Sequence, residues 1–192
     1  MNKVRLSAFF DAVLAIIMTI LVLELEKPSH LNWQGLLDLA PNFFAYTLSF
    51  FWLGTMWTGI HNTWHKIDKI NTATLTSMIV LLFFSSFFPY TTSIVASHFD
   101  NRFAQVLYGV ISLLVTLTVL FSYQTLLKAN PNNPKLLAEV RAYNHIMTYD
   151  ICIKLIGLLL TLTIYPPAMI YSIVLAGLSL IISRKHLITK SV

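Results

Sequence analysis

The sequence predicts an all-α protein, a six-span transmembrane helical bundle with one repeat per chain that occupies residues 1–192 as a single domain. Three observations predict it. The chain is 56% hydrophobic and only 11% charged, with a mean hydropathy of +0.70, far from the roughly one-quarter charge of soluble domains. Its apolar residues fall into runs of the length that crosses a hydrocarbon core of roughly 30 Å as a helix. Its basic residues are distributed unevenly between the two ends of those runs. A strand left open to lipid would leave backbone groups unpaired, so the spans read as helices.

The first run, about 4–25, contains nothing more polar than Thr19 between Ala12 and Leu23, yet Arg5, Asp11 and Glu24 punctuate it. Lys3 and Arg5 could head a signal peptide, but Glu24-Leu25-Glu26-Lys27-Pro28 occupies the place of a small-residue cleavage site, so the run reads as a retained span. The others follow at about 40–64, 72–97, 104–127, 144–164 and 167–183. Polar or helix-breaking dividers separate them: Lys27 to His30, His65 to Lys69, His98 to Arg102, Asn130 to Pro134, and the uncharged Tyr165-Pro166-Pro167 hairpin. Pro89 is a potential break within the third.

An even number of spans puts both termini on one side. That side receives Lys3, Arg5, Lys66, Lys69, Lys128, Lys135, Arg141, Arg184, Lys185 and Lys190, the other only Lys27 and Arg102, with Lys154 inside a span. Positive residues near span ends are retained in the cytoplasm, so both termini are expected there. The net charge of +5 therefore reads as topology and not as a nucleic-acid interface, which would gather Lys and Arg on one face or arm. Trp33 and Trp64 suit interfacial belts.

Chemical signatures are sparse. No phosphate loop, HExxH, GxSxG or GxGxxG occurs, the six glycines are isolated, and no TVGYG-like filter is present. Cys152 is the sole cysteine, which excludes an intramolecular disulfide; its apolar segment suggests an inert core thiol. His61 and His65 stand at i, i+4, a spacing two metal ligands can share, but with only Asp68 nearby a hydrogen-bonding role is favoured, and no metal or cofactor is expected. Asp150 and Lys154, also i, i+4, read as a mutually neutralising pair, with a proton-relay role as the functional alternative for charges at membrane depth.

On a helical projection Ile16, Ile20 and Leu23 fall within about 60° of one another, with Thr19 at the edge of the same stripe and Asp11 about 140° away from Ile16. Alone, such a stripe is ordinary helix packing. However, Arg5-x-x-x-Phe9-x-Asp11-Ala12-Val13, continued by Ala15-Ile16, Thr19 and Leu21-Val22-Leu23-Glu24-Leu25, resembles the first-helix signature of the transmembrane protein 175 family of potassium channels, in its prokaryotic single-repeat type. Tyr46-x-x-Ser49-Phe50 and Trp57-x-x-x-His61 are similar to its second-helix pattern. Two positions depart from it: Phe10 stands where the family usually has serine, and Ile60 replaces the first of its paired histidines, His61 keeping the second.

The resemblance implies a homotetramer in the cell membrane whose first helices line a central pore for potassium, the permeant ion. It implies a hydrophobic constriction at Ile16, Ile20 and Leu23, a part in selectivity for Thr19, and a network of Arg5, Phe9, Asp11 and His61 that positions the pore helix. An aliphatic ring offers an ion no oxygen ligands, so passage needs partial dehydration or a wetted state, which favours potassium modestly over the more tightly hydrated sodium. The expected partners are therefore potassium, three further copies of the chain and the bilayer, without nucleic acid. The expected function is passive conduction rather than enzymatic. The rival readings are a proton-coupled small transporter using Asp11, Asp150, Lys154 and the histidines, and a non-conducting membrane scaffold.

Overall fold

A computed structural model describes residues 2–189 of the chain, with side chains described through Ile182. The described residues form eight helices and no strand: α1 (Lys3–Leu23), α2 (Trp33–Leu37), α3 (Ala40–Trp64), α4 (Thr72–Ser85), α5 (Phe88–Ser97), α6 (Arg102–Ala129), α7 (Pro134–Thr163) and α8 (Ala168–Thr189). Arg184, Lys185 and Lys190, which the sequence reading used as topology markers, lie outside the residues with described side chains.

Asparagine starts most of these helices. Asn2, Asn32, Asn71, Asn101 and Asn133 each accept from backbone N–H groups of the first turn, satisfying donors that have no partner within the helix. Pro41, Pro89 and Pro134 sit in first turns, where proline's missing N–H costs nothing. The third apolar run is accordingly two helices, α4 and α5, broken at Ser86 and Phe87 just ahead of Pro89.

By length and composition, α1, the α4–α5 pair, α6 and α7 can cross a membrane. The aromatic and more polar α3 has 25 residues, and α8 has an apolar stretch over Ala168–Ile182. The chain is a multi-pass helical membrane protein.

The 28-residue α6 is the axis of the bundle, packing against α4, α5, α7 and α8. α7 and α8 form a close antiparallel pair. A Cβ at Gly157 would come within 2.1 Å of Ser172 Oγ, and one at Gly109 within 2.6 Å of Met169, so glycine is what lets α8 approach both α7 and α6. Buried hydroxyls join further helices: Ser49 on α3 lies 2.7 Å from Thr92 on α5 and 2.9 Å from the Tyr108 hydroxyl on α6.

In contrast, α1 packs on one side only, against α3, α4 and α5. Of its apolar span 28% is buried, against 61% for α6. Its lower end is tied to the α3–α4 loop, where Lys3 Nζ donates to Ile67 O at 2.6 Å. Asn130 holds the same loop from α6, accepting from Asp68 N and Lys69 N and donating to Lys69 O, while Asn133 donates to Lys66 O. At the opposite end Ser97 Oγ donates to Glu26, fastening the segment after α1 to the end of α5.

One expectation needs correction. Cys152 is exposed on α7 and is no core thiol. The fifth expected span, 144–164, is the later part of α7, which begins ten residues earlier at Pro134.

Candidate functional site

α1 has two faces. Leu6, Phe10, Leu14, Ile17 and Leu21 recur at helical spacing and are buried against the rest of the bundle. Phe9, Ile16, Ile20 and Leu23 emerge on the other side, with exposures of 53%, 58%, 37% and 78%. Arg5 and Thr19 are exposed there too. Thr19 Oγ1 donates back to Ile16 O at 2.9 Å. That bond occupies the hydroxyl hydrogen, leaving an oxygen that can only accept from, or coordinate, whatever approaches the stripe.

The departure at Phe10 has a physical account. At 1% exposure the ring fills the core beneath α1 together with Leu6 and Leu14, so the extra bulk is absorbed inside the bundle and stays off the open face. Ile60, the other departure, is likewise buried.

Asp11 sits between the two faces. Its Oδ1 accepts the Trp57 indole N–H at 2.8 Å, and Ser7 Oγ lies 3.5 Å from Oδ2. A tryptophan N–H in an apolar span needs an acceptor, and Asp11 supplies it across the α1–α3 interface. The Trp57 ring stacks on His61 with centroids 4.8 Å apart, and His61 Nε2 stands 3.3 Å from His65 Nε2. The structure thus brings together Asp11, Trp57, His61 and His65. Arg5 and Phe9 lie on the open face and do not join this cluster. Among the described residues no group of three or more His, Cys, Asp or Glu is placed to hold a metal ion.

The second cluster lies inside the bundle. Asp150 and Lys154, both on α7, are fully buried and 2.8 Å apart. Thr116 on α6 completes a triangle, donating to Asp150 Oδ2 at 3.0 Å and accepting from Lys154 Nζ at 2.8 Å. The ammonium lies 4.7 Å from the Trp52 ring centre, a favourable cation–π distance. Thr116 and Trp57 are the partners that sequence reasoning missed as contacts; a threonine or an indole inside an apolar span is the signal that could have found them.

An all-helical, multi-pass membrane protein with one apolar helix face uncovered is the class this geometry defines. Comparison with known proteins narrows it. Residues 5–89 match the family described as endosomal/lysosomal potassium channel TMEM175. A protein of Chryseobacterium sp. (strain P1-3) named as a potassium channel is 40% identical over 122 residues, which cover 62% of this chain and 64% of that one. Others so named, from Streptomyces collinus and Chamaesiphon minutus, are 28% and 31% identical; these matches cover 64% and 53% of this chain and 61% and 53% of theirs. The matches therefore span less than two thirds of these relatives' lengths. A crystal structure described as a lysosomal potassium-selective channel TMEM175 homolog from Chamaesiphon minutus superposes with a TM-score of 0.79 at 24% identity, covering 94% of this chain and 97% of that one. The first-helix signature thus lies within the stretch that the family model matches, the curated relatives similar to this chain are named as potassium channels, and the overall fold is that of the solved channel homolog.

Proposed function

We propose that the chain is one subunit of a passive, potassium-preferring cation channel in the cell membrane. Four copies stand about a central axis and each turns the open face of α1 inward. Ile16, Ile20 and Leu23 form the hydrophobic constriction, and Thr19, with its acceptor oxygen, contributes to selectivity. Asp11 and His61, through Trp57, fix α1 against α3, while Arg5 and Phe9 on the open face meet the neighbouring subunit. Six spans, counting α3 and α8, leave both termini in the cytoplasm.

The observation that carries this reading is that the face of α1 left uncovered by its own subunit is the one bearing Ile16, Thr19, Ile20 and Leu23. The potassium-channel names of the relatives support the choice of ion. Because branched aliphatic side chains offer no oxygen ligands, water loss sets which ion passes.

Potassium efflux from liposomes reconstituted with the full chain tests the proposal. Wild-type protein should pass potassium faster than sodium without a proton gradient, and Ile16→Asn should raise flux and weaken the preference. Liposomes without flux would favour the scaffold, flux tied to a proton gradient the transporter, and an Ile16→Asn variant identical to wild type would remove the constriction from this position.

A further inference from the structure

The buried Asp150–Lys154–Thr116 triangle takes no part in the α1 face, and one of its atoms is unaccounted for. Lys154 and Thr116 both bind Asp150 Oδ2, whereas Asp150 Oδ1 is buried with no protein partner. An unpaired carboxylate oxygen in the interior of a membrane protein is costly. Asp150 lines a cavity of about 20 Å³ between α3, α6, α7 and α8, whose wall includes Trp52, Thr116, Tyr123 and Tyr143. That volume is enough for one water, which requires about 10–15 Å³ of such space.

Beyond the cavity the polar groups continue. The Tyr123 and Tyr143 rings pack 4.7 Å apart, and Thr63 Oγ1 lies 3.4 Å from the Tyr123 hydroxyl. The same Thr63 oxygen is 3.0 Å from Glu139 Oε1. Glu139 in turn pairs with Lys66 at 2.8 Å, where the Lys66 side chain is 46% exposed. A file of side chains thus runs from the solvent-facing α3–α4 loop to the tyrosines of the cavity, which Asp150 also lines.

We propose that the cavity is a water-binding site. One water donates to Asp150 Oδ1, bonds to the tyrosine side, and completes a hydrogen-bonded file from Lys66–Glu139 to Asp150–Lys154. The file lies within each subunit, separate from α1, and gives the buried ion pair contact with bulk water from one side of the membrane.

Solid-state NMR on the full chain in lipid vesicles, with ¹³C-labelled aspartate and ¹⁵N-labelled lysine, tests this. Among the described residues the remaining ion pair is Lys66–Glu139, so a dipolar correlation between an aspartate Cγ and a lysine Nζ selects Asp150 without any substitution. Magnetisation from water protons should reach that Cγ on the timescale of the exposed aspartates. Val119 also lines the cavity, and Val119→Leu, which fills it with one methylene, should abolish the transfer while leaving the Asp–Lys correlation intact. A wild-type Asp150 as isolated from water as the aliphatic core overturns the proposal, as does a transfer that survives Val119→Leu. The wild-type arm decides even where the variant fails to fold. Neither arm depends on conduction, so failure here is distinct from failure of the channel reading.

Discussion

Replacing Lys154 by methionine should destabilise the subunit more than removing any other charge. Methionine keeps most of the length and apolar bulk of the lysine stem and adapts to irregular space, so packing is largely preserved and the electrostatic loss stands out. What remains is an Asp150 carboxylate at 0% exposure whose Oδ2 keeps one bond, from Thr116, and loses the ammonium 2.8 Å away. Breaking a buried pair from one side costs about 3–5 kcal/mol, because it leaves an uncompensated charge. The contact of the ammonium with Trp52 at 4.7 Å is lost as well. The companion variant Asp150→Leu/Lys154→Met removes both charges, and replacing a whole pair by apolar groups is often nearly neutral. It should recover most of the loss, giving a large favourable coupling in the double-mutant cycle. Denaturant unfolding in mixed micelles, followed by the fluorescence of the four tryptophans, of which Trp52 lies against the pair, measures all four proteins. The reasoning is refuted if the single variant loses less than about 1 kcal/mol, the range of a solvent-exposed pair, or if the double variant is as unstable as the single one.

Three further outcomes follow from the same packing. Phe10→Ala should cost about 3–5 kcal/mol in unfolding free energy, since it empties a wholly buried ring site, whereas Phe9→Ala on the open face should leave subunit unfolding almost unchanged and act on assembly, read by size-exclusion chromatography with light scattering. Trp57→Phe deprives Asp11 of its donor at 2.8 Å and should lower stability by about 1–3 kcal/mol, visible as a reduced thermal midpoint in detergent. Gly157→Ala places a Cβ 2.1 Å from Ser172 Oγ and forces α7 and α8 apart; a thermal midpoint equal to wild type would contradict the close approach.

The parts of this fold that were legible in the sequence are those where one physical signal dominates. α3 spans the 40–64 expected from its apolar run, the break before Pro89 follows from proline's demand for a first-turn position, and the Asp150–Lys154 pair follows from i, i+4 geometry. The rest depends on contacts that hydropathy averages away. Leu136, Val140 and Tyr143 bury one face of the start of α7 while Lys135, Glu139 and Arg141 keep its mean polarity high, so the helix begins at Pro134 although the apolar run begins ten residues later. The short α2 is five residues capped by Asn32 and carries no periodic signal. Whether Trp64 and Cys152 face in or out depends on the rotation of α3 and α7 within the bundle, which no count of apolar residues specifies.

Of the candidate site, the Ile16–Ile20–Leu23 stripe and the placement of Asp11 off that stripe were legible from the 100° step alone. The Asp11–Trp57 bond was not, because it joins residues 46 positions apart and depends on how α3 leans on α1. Residue types alone do not reveal that Thr19 bonds to its own helix or that Phe10 is absorbed by the core.

The most direct test of the central claim places a reactive thiol on the open face of α1. In a Cys152→Ser background, which removes the sole native cysteine, Ile16→Cys is reconstituted in planar bilayers and exposed to a water-soluble methanethiosulfonate reagent. A pore narrowed at this position predicts rapid, near-complete loss of potassium current in the Ile16→Cys protein and none in the background protein. Current that persists while mass spectrometry shows the thiol fully modified would mean that potassium does not pass this face of α1.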